Sequence, residues 1–322
     1  MASLARAAPR LRMPRAGPER SAAPGSCKVP APLSAPPVIF LRDRFLEADE
    51  PATVSLFDRA YLLGDSLFAS LRVYAGAPVG LGRHLARLEA TAGELGLACP
   101  SAAAIEPIVR TACDRFVSEY GYLRITLSRG EMPPRAAGLG LTGLAAPVLS
   151  VVVRELGTPA FPAPTEVAPV TLRAVPAACQ PPGWKLGSYA LRVAMRREVE
   201  ARGHGEGLVL GLDGAVVSGV SSNLFLARGD LLVTPALSSG CRPGVTRELL
   251  LERLRAAGAP VEERAVALED LRAADGALFT SSVTPLLPVS RVESRALAPD
   301  HPCVARARAA LLEAIAQERG PA

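Results

Sequence analysis

Lysine is almost missing from this 322-residue chain. Of 36 basic residues only Lys28 and Lys185 are lysines, and the rest are arginines. Aromatic residues make up 4% and histidine occurs three times, at 84, 204 and 301. The six cysteines (27, 99, 113, 179, 241 and 303) are scattered, with no CxxC pair. No zinc-ligand spacing can be assembled locally, so no metal site is expected. The cysteines read as reduced thiols of a cytoplasmic protein. No apolar run approaches the roughly 18 residues that a membrane span needs. What is present is a globular composition, 49% hydrophobic and 21% charged, long enough for one large or two modest domains.

The net charge of +5 is localised. Residues 1–37 hold Arg6, Arg10, Arg12, Arg15, Arg20 and Lys28 against Glu19, and the remaining 285 residues are balanced. A neutral body poor in aromatics gives no reason to expect a nucleic-acid face. The segment 1–37 has eight prolines and no periodicity, so it is expected to be a disordered tail. It is Arg-rich and acid-poor, as transit peptides are; a start at Met13 is an equal alternative.

Without Lys28, the body retains a single lysine, Lys185. Arginine replaces lysine wherever a permanent charge suffices, but a guanidinium cannot lose its proton to act as an amine. Lys185 is therefore a candidate Schiff-base lysine; the alternative is a surface lysine that has survived the compositional bias.

From Pro37 the pattern becomes structured. PVIFLRDRF predicts a strand, and FDRAYLLGDSLFASLRVYAG predicts a loop, a turn at Gly64-Asp65 and a strand through Val73. Helices are expected over 83–96 and 102–119, then strands in GYLRITLSRG and PVLSVVVREL around a Pro/Gly-rich loop at 130–140. These compose a small α+β domain over 38–156. GTPAFPAPTE supplies a linker, 157–166, before a second and larger domain over 167–322. There VAPVTLRAV predicts a strand and a helix runs to about 202. GLVLGLDGAVVSGVSSNLFLARGDLLVTP reads as strands broken at 212–214 and 228–230. A helix runs from Pro243-Gly244 to Gly258, ALFTSSVTPLLPV is a strand then a loop, and the last helix spans 303–318.

Phosphate chemistry is legible beside the lysine. Gly244 to Arg247 open a helix whose first N–H groups lack intrahelical partners, which suits an anion. Thr280-Ser281-Ser282 form a hydroxyl-rich loop after a strand, and Arg87 offers a charged fork. By itself Arg87 reads as a solvated helix arginine. Lysine, phosphate cup and arginine together describe a pyridoxal phosphate site.

At these residues the chain resembles the class IV, fold-type IV pyridoxal phosphate enzymes. They include branched-chain and D-amino acid aminotransferases and aminodeoxychorismate lyase. The resemblance runs from about 38 to 293. It rests on FDRAYLLGD, on HLARL with its phosphate-holding Arg87, and on WKLGSYALRVAMRREVEARG with Lys185. GLVLGLDGAVVSGVSSNLF matches the hairpin under the pyridine ring, and SGCRPGVTRELL the phosphate-cup helix. It implies a two-domain α+β fold with the site between domains, a homodimer and a small-molecule amine substrate. It also implies cofactor contacts from Ser218, Ser221, Ser222, Val245, Thr246, Ser281 and Ser282.

Three details resemble the lyase more than the aminotransferases: FASLRV at 68–73, LSRG at 127–130 and SVTPLLPV at 282–289. The histidine with which D-amino acid enzymes hold the substrate carboxylate has no counterpart beside Arg135. The expected reaction is conversion of aminodeoxychorismate to 4-aminobenzoate and pyruvate. Lys185 would take the proton, Ser70 would assist, and Arg72, Arg129 or Arg135 would hold a carboxylate. One position departs from the pattern. The family's glutamate that pairs with the pyridine nitrogen is here Ser218, and no Asp or Glu lies within three residues of it. A hydroxyl cannot stabilise a ring proton as a carboxylate does, which favours the lyase over a transaminase and equally allows a weakened or silent enzyme.

Overall fold

Period-two alternation builds the first sheet. In β3 (Ser66–Tyr74) the odd positions Leu67, Ala69, Leu71 and Val73 face one core, while Phe68, Ser70 and Arg72 face the other side. Both faces are covered, so all nine residues of β3 are buried. The computed structural model describes residues 35–157 and 160–319. The expected tail at 1–37 therefore lies, up to residue 34, outside the described residues, as do residues 158 and 159 of the expected linker.

The first sheet contains β1 (Val38–Leu41), β2 (Arg44–Phe45), β3, β4 (Ala77–Pro78), β5 (Tyr120–Ser128) and β6 (Val148–Glu155). Its order is β2-β1-β6-β5-β3-β4, antiparallel throughout. The helices α2 (Leu81–Glu94) and α3 (Ala102–Asp114) cover the odd-position face of β3. Leu85, Leu88, Ile105 and Val109 pack there against Leu71, Leu123, Ile125 and Val151.

Four expected elements up to residue 175 come out differently. PVIFLRDRF is a two-strand hairpin rather than one strand; the chain reverses at Arg42, which takes a φ of 63°. The expected loop after Phe57 contains a five-residue helix, α1 (Arg59–Leu63). The Asp58 carboxylate caps it by accepting from the Ala60 N–H, and Gly64 ends it at φ 68°. Five residues are too few to display a helical period. The second long helix stops at Asp114 rather than 119, and the chain turns there to bury Phe116. VAPVTLRAV contributes only its first residue to a strand, β7 (Thr165–Val167), because Pro169 and its missing donor follow at once.

The second part of the chain begins at β7. Helix α4 (Ala190–Ala201) packs on the two-stranded ribbon β8 (Leu208–Leu210) and β9 (Val216–Gly219), with Met195 and Val199 against Val209, Val217 and Val220. The strands β10 (Asn223–Arg228), β11 (Leu231–Pro235), β12 (Val261–Arg264), β13 (Gly276–Thr280), β14 (Leu287–Val292) and β15 (Arg295–Ala296) form the larger sheet, ordered β12-β11-β10-β13-β14-β15 with β7 beside β14. The expected loop after residue 281 thus contains a further strand, β14. In β10, Leu224 and Leu226 face the ribbon and the short α6 (Leu268–Arg272). Phe225 and Ala227 face α5 (Val245–Ala256) and α7 (Pro302–Arg319). Both sheets belong to one compact unit. The first is stitched to the lysine segment: Phe68 N–H donates to the Lys185 carbonyl at 3.0 Å and Gly187 N–H to the Ser66 carbonyl at 2.7 Å.

Candidate active site

A cavity of about 350 Å³ opens where the even-position face of β3 and β5 meets the N-terminus of α5, the Lys185 segment and the turn after β9. That volume is typical of a small-molecule site. Its walls follow from strand registry. Ser70 stands opposite Arg124 in the β3–β5 pair, so Phe68, Ser70, Tyr122 and Arg124 share one face and line the cavity. The Ser70 hydroxyl and the Tyr122 phenol are 3.0 Å apart.

Lys185 reaches this face. Its Nζ lies 4.8 Å from the centre of the Phe68 ring, and the Arg124 guanidinium stacks on the same ring at 3.8 Å. Tyr189 closes on Phe68 edge-on at 5.1 Å. Burial lowers the Lys185 pKa to about 7, and the cations Arg242, Arg124 and Arg87 push it the same way. The amine is therefore substantially neutral near neutral pH, which a group that condenses with an aldehyde needs.

The residues of the expected anion cup line the same cavity. Gly244 opens α5 without any side-chain cap, leaving the first N–H groups of Val245 and Thr246 at the cavity wall. Ser281 and Ser282 line the cavity beside them. The Ser281 hydroxyl serves its own turn, donating to the Thr284 carbonyl and accepting from the Thr284 N–H at 2.9 Å. Ser282 faces His84, whose Nε2 is 3.1 Å from its Oγ. Burial first, then Lys185 and Arg87, lower the His84 pKa to about 3, so this ring is neutral. Arg87 lines the cavity and is ion-paired with Glu248. The Thr280 hydroxyl is buried, lines the same cavity and has no hydrogen-bond partner. An unpaired buried hydroxyl beside an uncapped helix start fits a phosphate monoester, so the residues suit the cofactor expected from the sequence.

Of the sequence-predicted residues, Lys185, Ser70, Arg87, Ser218, Ser221, Ser222, Val245, Thr246, Ser281 and Ser282 all line this one cavity. Ser221 and Ser222 do so with their hydroxyls turned away, both donating to Glu206 at 3.1 and 2.8 Å. Three expected substrate arginines do not line it. Arg72 donates to the Val283 carbonyl at 2.8 Å and lies 5.6 and 5.7 Å from the centres of the Tyr74 and Tyr120 rings. Arg129 pairs with Asp65 at 2.8 Å and donates to the Leu95 and Gly96 carbonyls. Arg135 is exposed in the loop between β5 and β6. Each is placed by a local partner or by solvent rather than by the cavity.

Three other arginines do line it, and sequence reading missed them: Arg124, Arg192 and Arg242. Arg192 donates to the Val220 carbonyl at 3.0 Å and Arg242 to the Gly183 and Trp184 carbonyls at 3.0 and 2.8 Å. Among the described residues no aspartate or glutamate lines the cavity. In an arginine-rich sequence no local signal marks these three; registry or a loop carbonyl distant in sequence selects them.

The comparisons with known proteins agree with this geometry. The family model for amino-transferase class IV matches residues 66–292. Aminodeoxychorismate lyase of Bacillus subtilis is 28% identical over 80% of this chain and 87% of its own length. The crystal structure of a branched-chain aminotransferase from Thermoproteus uzoniensis with norvaline superposes with a TM-score of 0.79 at 24% identity, covering 87% of this chain and 96% of that one. An aminotransferase from Brucella abortus bound to the cofactor PLP superposes at 0.78 with 25% identity, covering 87% and 99%.

Proposed function

Because the chain belongs to the class IV aminotransferase family, we propose that it is a lyase that converts 4-amino-4-deoxychorismate to 4-aminobenzoate and pyruvate. Pyridoxal 5'-phosphate is the cofactor, and when bound it supplies an electrophilic aldehyde and an electron-withdrawing ring. The observation that carries the lyase reading is the charge of the cavity: Arg87, Arg124, Lys185, Arg192 and Arg242 line it without a carboxylate among the described residues. Arg87 suits the phosphate and Lys185 the aldehyde. With Arg192 set on the wall after β9, Arg124 and Arg242 suit a substrate with two carboxylates, which aminodeoxychorismate has and a branched-chain amino acid has not.

Lys185 has two tasks. Its neutral amine holds the cofactor aldehyde, and once freed it removes the proton from the amine-bearing carbon of the substrate. The carbon–oxygen bond to the enolpyruvyl group then breaks. The ring becomes aromatic, and the leaving group takes a proton to become pyruvate. Ser70 and Tyr122, hydrogen-bonded to each other on the same wall, are placed to pass that proton. Arg124 orients a substrate carboxylate, and the uncapped start of α5 with Arg87 fixes the phosphate.

A class IV aminotransferase acting on branched-chain or D-amino acids is the second reading, favoured by the aminotransferase names among the relatives. The decisive experiment feeds the purified protein aminodeoxychorismate in one assay and amino donors with 2-oxoglutarate in another. Release of 4-aminobenzoate with equimolar pyruvate supports the lyase. Keto-acid-dependent amino transfer without 4-aminobenzoate overturns it, and inactivity in both assays favours a silent member of the family. The assembly is read as a homodimer, because Val54, Leu56, Phe57, Tyr61, Leu62 and Leu63 form an exposed apolar band.

A further inference from the structure

We propose that this chain holds the pyridine nitrogen of its cofactor unprotonated, with Arg192 as the donor that faces it. The inference rests on the pyridoxal phosphate reading and deepens it. The nitrogen lies para to the carbon that bears the aldehyde. A ring joined to Lys185, against β3, therefore turns its nitrogen toward the cavity wall remote from β3. That wall is the turn after β9, where Ser218, Gly219 and Val220 line the cavity together with Arg192 of α4.

One free donor is left there, Arg192, because the single Ser218 proton is already given to the backbone. The Ser218 hydroxyl donates to the Gly219 carbonyl at 2.8 Å, and Arg192 Nη1 approaches the same carbonyl at 3.4 Å. A guanidinium stays charged and only donates, so its partner on a pyridine is a lone pair and never an N–H. The absence of a carboxylate does not depend on how the ring is turned, because none lines the cavity among the described residues.

The nearest buried acid, Glu206, is no substitute. It sits behind the turn and accepts from the Gly207 and Val220 N–H groups, both at 2.9 Å, and from the Ser221 and Ser222 hydroxyls, and Arg196 reaches it at 3.3 Å. Glu206 thus organises the wall: its oxygens are taken by these donors, it does not itself line the cavity, and its charge acts on Arg192. The charged group left facing the cavity from this wall is Arg192, and Arg242 adds a second positive charge nearby; the other titratable groups lining the cavity are Arg87, Arg124, Lys185, His84, Tyr122 and Tyr189. A neutral ring withdraws electrons less strongly. It is adequate where forming an aromatic product drives the reaction, and poor where a carbanion must be stored.

The test uses the holoprotein loaded with pyridoxal phosphate carrying nitrogen-15 in the ring. Nitrogen NMR resolves protonated from unprotonated pyridine, protonation moving the signal strongly upfield. The wild type is expected to give the unprotonated signal from pH 6 to pH 9. Arg192→Gln is expected to move the titration midpoint to higher pH, and the double variant R192Q/S218E to give the protonated signal across this range. A protonated signal in the wild type overturns the inference alone, with the cofactor reading intact. An unmoved midpoint in Arg192→Gln overturns the role of Arg192. Absence of any bound signal overturns the cofactor reading together with the inference.

Discussion

Lys185 is the residue on which the proposed chemistry turns, and its environment sets a measurable pH dependence. Burial and three arginines lower its pKa from 10.5 to about 7. Above about pH 7 the folded chain holds a neutral amine, whereas the unfolded chain stays protonated up to about 10.5. Covalent capture of the cofactor aldehyde by the apoprotein should therefore accelerate as pH rises through about 7 and then level off. Absorbance stopped-flow checks this; a midpoint near 10 would contradict it. By linkage, the lysine contribution to apoprotein stability rises with pH between about 7 and 10.5, and Lys185→Met should remove that slope. Arg87 is the second residue-scale test. Losing a charge-assisted hydrogen bond to phosphate costs about 1.5–3 kcal/mol, so Arg87→Leu should weaken cofactor affinity about 10- to 100-fold by equilibrium titration.

At the scale of elements, the site depends on how α5 begins and on how β3 and β5 pair. A side chain at Gly244 would collide with the Asn223 amide oxygen, and Asn223 holds the Arg242 carbonyl at 2.8 Å. Gly244→Ala is expected to displace the α5 entrance and weaken cofactor binding while leaving helix content by circular dichroism unchanged. The opposite face of the same sheet is pure packing. Leu123 is fully buried against α2 and α3, so Leu123→Ala should cost about 2–5 kcal/mol in urea denaturation. Much of this level was legible. The alternation in SLFASLRVY and GYLRITLS separates the two faces of the sheet but does not by itself say which residues line the cavity: Arg72 shares a face with Phe68 and Ser70 and does not line it. The five-residue α1 was not legible, since only its Asp58 cap and Gly64 stop leave a mark.

For the whole molecule, the exposed band from Val54 to Leu63 is the feature a lone chain leaves unexplained. Sedimentation equilibrium should find two chains per particle, and a paired Tyr61→Asp and Leu62→Asp change should shift it to monomer. A wild type that sediments as a monomer would remove the homodimer reading. The boundary drawn at 156 falls between β6 and β7, where the chain leaves one sheet for the other. The cavity draws its walls from both sheets' segments, which is why neither half contains a whole site.

The sequence alone determined the fold class and pointed to the candidate amine and phosphate cup. A lone lysine in an arginine-rich body, an uncapped helix start and period-two strands are local facts, and local chemistry limits what each can do. Tertiary structure decided which arginines matter. Arg72, Arg129 and Arg135 carry the same charge and donors as Arg124, Arg192 and Arg242. Strand registry turns Arg124 into the cavity, and loop carbonyls hold Arg192 and Arg242 at its wall, while Arg72 and Arg129 are bound elsewhere and Arg135 faces solvent. A guanidinium has the same charge everywhere; the partners that orient it come from distant parts of the chain and exist only once the chain has folded.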